Sequence, residues 1–121
     1  MAFTNETLLP STTFGVPSGN YNGSSPAFVG NAVPAANFYA GQGITQTAFI
    51  QVTNFTGIIT LQATLGDIPE QAAWFDVESY GNANAVTTGT VALTEIGNFV
   101  FIRAAVTNFT GGTINSATVA F

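Results

Sequence analysis

Four carboxylates, Asp67, Glu70, Asp76 and Glu78, fall within twelve residues, with Trp74 among them. Two acids flanking a glycosidic bond are the minimum for its hydrolysis, one delivering a proton and the other acting as base or nucleophile. Asp76 and Glu78 lie two apart on a stretch that reads as strand, so they project from one face. A solvated strand face produces the same pattern, and the neighbouring sequence lacks the supporting polar groups of a catalytic pair. Hard oxygen ligands also suit calcium, yet the cluster has none of the spacing of a calcium loop. Trp74 beside acids suits a sugar-stacking platform, and it equally suits a core between two sheets, where tryptophan is usually found. Arg103 is the only basic residue. Projecting from the same strand face as Phe99 and Phe101, it needs a partner, and the expected one is Asp76 or Glu78 across the sheet.

Other chemistry is absent from the composition. The chain has no His and no Cys, which removes the usual general bases, soft metal ligands and thiol nucleophiles together. Its many Ser and Thr have nothing to activate them in a triad. Gly41-Gln42-Gly43 lacks the lysine and helix of a phosphate loop. No catalytic, cofactor-binding or metal-binding residue is therefore assigned. One arginine against six acids, a net charge of −5, cannot neutralise a row of phosphates, so direct nucleic-acid binding and attraction to an anionic membrane are not expected. Apolar runs are far shorter than the ~20 residues of a spanning helix, and the first residues do not read as a signal peptide.

The elements that must position these residues differ along the chain. Residues 1–43 are rich in Pro and Gly, with Phe3, Leu8, Leu9, Phe14, Tyr21, Phe28, Phe38 and Tyr39 interleaved. Turn formers break regular structure, while the aromatics each demand a place out of water. The segment reads as an extended arm that gains order by lying on something. Two supports remain open: a neighbouring molecule, for which these eight side chains are the candidate interface, or the chain's own domain, edged by one or two added strands. On the first reading, deleting residues 2–43 leaves the domain folded.

From residue 44 to 121 the pattern changes to short β segments, at 46–53, 58–65, 74–79, 86–93, 99–107 and 113–121. Ile59, Leu61, Ala63 and Leu65 alternate with Thr60, Gln62 and Thr64. Period-2 alternation with Gly/Asn breaks predicts an all-β chain, a single antiparallel β-sandwich or jelly-roll-like domain. One helical turn is expected near Pro69. Val119-Ala120-Phe121 is expected to be locked into the sheet or a neighbour. An internal echo, Val52-Thr53-Asn54-Phe55-Thr56-Gly57 and Val106-Thr107-Asn108-Phe109-Thr110-Gly111, reads as two similar hairpin turns, since Asn and Gly tolerate positive φ. Asn5, Asn22, Asn54 and Asn108 match the glycosylation sequon, a short pattern that arises by chance in an Asn/Thr-rich chain.

Several of these motifs also occur in one order. Residues 51–63 (QVTNFTGIITLQA), Trp74-Phe75-Asp76-Val77 and residues 97–106 (GNFVFIRAAV) are joined upstream by residues 19–24 (GNYNGS) and 37–43 (NFYAGQG). Over residues 19–121 this resembles a β-sandwich family of tailed-phage structural proteins, frequent in phages of cyanobacteria and other aquatic bacteria. The resemblance implies a virion protein without enzymatic activity, assembled in the bacterial host cytoplasm. The leading expectation is a capsid decoration (cement) protein, binding the major capsid protein and itself, with a homotrimer preferred. Alternatives are a neck, tail or fibre-associated virion protein, or a glycan-binding adhesion module using Trp74. Composition agrees with the first: an apolar arm whose one charge is Glu6 gains about 25 cal/mol per Å² on burial with little charge to desolvate.

Overall fold

β-Branched and aromatic residues recur almost throughout the chain, and the computed structural model is all-β. It describes residues 5–35, 45–66, 73–97 and 99–120. Among the described residues there is no helix, and the helical turn expected near Pro69 lies outside them. Four short strands, β1 (Asn5–Leu9), β2 (Thr12–Thr13), β3 (Phe28–Val29) and β4 (Val33–Pro34), precede three long ones, β5 (Thr45–Thr64), β6 (Phe75–Ile96) and β7 (Phe101–Ala120). All belong to one antiparallel sheet with β7 and β5 central, β6 on one edge and β1–β4 in series along the other.

The six strands expected after residue 44 are thus halves of three. Residues 46–53 and 58–64 lie in β5, 75–79 and 86–93 in β6, and 101–107 and 113–120 in β7. The Asn-Phe-Thr-Gly repeats are not hairpin turns: each sits inside a continuous strand and kinks it. Asn54 and Asn108 adopt φ of 50° and 54°, the left-handed conformation that Asn tolerates best after Gly. At each kink the pairing register slips as at a β-bulge: around Asn54, between Val52 and Phe55 against β6 and between Thr53 and Thr56 against β7, and around Asn108, between Thr107 and Gly111 against β5. The extra residue shifts the inward phase. Gln46, Ala48, Ile50 and Val52 are buried before the bulge, and Phe55, Ile59, Leu61 and Ala63 after it. Leu65, expected on that face, is 63% exposed just past the end of β5.

The kinks fold the strands back on themselves. Glu78 and Glu95 are seventeen positions apart on β6, roughly 55 Å in a straight strand, yet their side chains are hydrogen-bonded. Both halves of β5 and β7 accordingly feed one continuous core cluster. The two repeats stand side by side and antiparallel, with Thr53 opposite Thr113 and Thr107 opposite Ile58, in a roughly two-fold relation. Ala48, Ile50, Val52 and Phe55 have the same spacing as Ile102, Ala104, Val106 and Phe109, and all eight are buried. Gly112, at φ 85°, is required here, because a Cβ would fall on the Asn54 carbonyl.

The N-terminal segment follows β7 around the bend. β1 pairs with 117–120, β2 with 113–114, β3 with 105–106 and β4 with 101–102. Of the eight candidate interface residues, Leu8, Leu9, Tyr21 and Phe28 are buried in the chain's own core. Tyr21, Phe28, Phe14 and Phe55 surround the Phe109 ring at centroid distances of 5.1, 6.0, 5.5 and 5.6 Å. Phe14 packs edge-on there while remaining 44% exposed. Phe3, Phe38 and Tyr39 lie outside the described residues. Of the two supports left open by the sequence, the described residues use the chain's own sheet. At the other end, Val119 is buried and Ala120 pairs with both Asn5 and Thr47.

Candidate functional site

Because β5 lies between β6 and β7, residues on the two outer strands of this trio are separated by two strand spacings, about 10 Å. Arg103 on β7 and Asp76 on β6 are in one row with Gln62 of β5 between them. Arg103 Nε donates to Gln62 Oε1 at 2.8 Å, and Gln62 Nε2 donates to Asp76 Oδ1 at 3.0 Å. The expected pairing of Arg103 with Asp76 is therefore relayed through an amide, since the direct gap is too wide for the two side chains. Trp74, half-buried, lies under the guanidinium, whose carbon is 4.1 Å from the ring centroid. That cation–π contact occupies one face of the indole. Burial lowers the pKa of Arg103 from its ordinary value.

Glu78, the other expected partner, belongs elsewhere. It is opposite Leu61, on the inward side of the edge strand, and Glu95 is opposite the buried Gln46. The fold of β6 brings the two carboxyls together. Burial pushes the Glu95 pKa up to about 7, helped by the hydrogen bond to Glu78 and by its negative charge. Glu95 Oε2 has no hydrogen-bond partner. Gln46 Nε2 donates to the Glu95 carbonyl at 2.9 Å and ties this rim to β5. The sequence offered no sign of this pair, because only the bend in β6 makes position 95 a neighbour of position 78.

Neither arrangement has the geometry of a hydrolytic site. Carboxyls in hydrogen-bond contact are closer than the ~5 Å needed to admit a glycosidic bond between them. Asp76 points into the relay. No group of three or more acids gathers among the described residues, and Asp67 and Glu70 lie outside them. A cleft of about 260 Å³ between β1 and the 19–31 loop is lined by Leu8, Leu9, Phe28 and the amides of Asn20 and Asn31, without a charged side chain. It is below the usual range for small-molecule sites, and Asn20 is already bonded to Asn31 Oδ1 and the Val29 carbonyl. Among the described residues, no helix is long and apolar enough to cross a membrane. Arg103, Gln62 and Asp76 thus link β7, β5 and β6. No protein-family model, curated protein or solved structure matches this chain.

Proposed function

We propose that this chain is a non-enzymatic structural protein of a tailed-phage virion, a decoration protein that stabilises the head by binding the major capsid protein and itself. On this reading the folded-over sheet is a β-sandwich of jelly-roll type, its two layers being the two halves of each long strand. One observation carries the functional reading: Asp76, Glu78, Glu95 and Arg103 are engaged within the sheet, while the outward positions of β5 and β7 carry mainly hydroxyls, amides and scattered apolar groups. Such a surface is suited to contact area, not bond-making. The family resemblance in the sequence supplies the virion context.

The test is co-sedimentation of the purified full chain with phage heads. Saturable binding at hundreds of copies per head supports decoration. Binding of about a dozen copies at one vertex supports the neck or tail alternative, and no binding to any particle component contradicts the reading.

A further inference from the structure

The two edges of the sheet are built differently. Along β7, the covering segment is broken into strands of five, two, two and two residues and carries Pro10, Pro17, Pro26 and Pro34. Interruptions and prolines are the devices that keep a sheet edge from pairing further. The opposite edge has no proline and no break in the strand, and its register against β5 slips at three points. β6 runs for 22 residues without Pro, Lys or Arg, and among the described strands it pairs only with β5. From Ser79 to Thr94 it carries no charge. Its outer side is a row of backbone donors and acceptors flanked by exposed side chains, including Val86 at 63% and Ile96 at 71%.

We infer that the open edge of β6 is a self-association surface, taken by β6 of a second copy in antiparallel register. Folded in half, 22 residues give an edge about 35 Å long. Two layers about 10 Å apart, with their side chains, make it about 20 Å deep. The resulting area of about 700 Å² is close to the roughly 800 Å² per partner of a stable interface. Charge selects the occupant. In a chain of net charge −5, this stretch is one along which two copies meet without opposing like charges. Glu78, which is exposed, and Glu95 bound this uncharged stretch at its two ends. An edge that pairs with its own copy closes as a two-fold dimer. A ring of three needs a second, different edge, and the prolines occupy that one.

This deepens the assembly reading by naming the surface through which the chain binds itself. Sedimentation velocity over a concentration series, with hydrogen exchange on the β6 amides, tests it on the full chain. The wild type is expected to dimerise, with β6 amides protected in the dimer and released on dilution. Thr90→Lys/Ala92→Lys places two charges on exposed positions of β6 and should weaken dimerisation roughly tenfold or more. Thr7→Lys, on the far edge, should not. A wild type that stays monomeric at millimolar concentration overturns the inference. So does a closed trimer, or a dimer that ignores the double variant while its β6 amides exchange freely. Head binding is measured in parallel: retained head binding without β6 pairing sinks the edge alone, and β6 pairing without head binding sinks the virion reading alone.

Discussion

Glu95 makes the stability of this fold depend on pH in a direction opposite to that of a salt-bridged acid. Its carboxyl titrates near pH 7 in the folded chain instead of at its ordinary 4.5, because the rim of the bend shields it from water and Glu78 faces it. The folded state therefore holds a proton that the unfolded state has lost. The contribution of Glu95 is fully present below about pH 4.5 and is lost as pH rises through about 7. A displacement of this size corresponds to a ceiling of roughly 3.5 kcal/mol, at about 1.4 kcal/mol per pH unit. Water at the half-buried rim screens it to about 1–2 kcal/mol. Glu95→Gln copies the protonated form. It should match the wild type near pH 5 and exceed it by about 1–2 kcal/mol near pH 8.5. Urea unfolding followed by Trp74 fluorescence across that range measures both curves. If the two run parallel at all pH values, Glu95 does not meet Glu78, and the fold-back of β6 inferred from their contact is wrong.

Other perturbations address the remaining links. Phe109→Ala removes a fully buried ring with four aromatic neighbours and should cost about 3–5 kcal/mol by denaturant unfolding. Gly112→Ala should cost several kcal/mol through collision with the Asn54 carbonyl, whereas Gly15→Ala, also at positive φ but with open space around it, should cost only about 1 kcal/mol. A thermal melt of both variants separates strain from collision. Gln62→Ala breaks the amide relay and should cost about 1–2 kcal/mol; in that background the coupling between Arg103→Ala and Asp76→Ala in a double-mutant cycle should vanish. Deleting residues 2–35 strips Leu8, Leu9, Tyr21 and Phe28 from the core and bares the edge of β7, so the remainder should be insoluble or unfolded by circular dichroism, contrary to the expectation from sequence that the domain survives without its arm.

The inward faces were legible because alternation is a local property. Ile59, Leu61 and Ala63, and Ile102, Ala104 and Val106, follow the period-2 pattern and are buried. The length of the strands was not legible. Asn-Phe-Thr-Gly has the same positive-φ chemistry whether it reverses a hairpin or kinks a continuing strand, and only pairing across the kink distinguishes them. One clue was available: a phenylalanine at the centre of an exposed hairpin tip is costly, and both Phe55 and Phe109 are fully buried. The arm posed a harder problem. Leu8, Leu9, Tyr21 and Phe28 signal a need for burial without naming the surface, and β7, more than seventy residues downstream, provides it. Arg103 was expected to pair with Asp76 or Glu78; its bond to the intervening Gln62 depends on strand order, which spacing does not encode.

The function proposed for this chain is binding to a phage head through contact area. Counting its copies by quantitative mass spectrometry of purified, intact virions tests this most directly. Decoration predicts hundreds of copies per particle, in fixed proportion to the major capsid protein. A chain found only in the lysate, absent from washed particles, would contradict it.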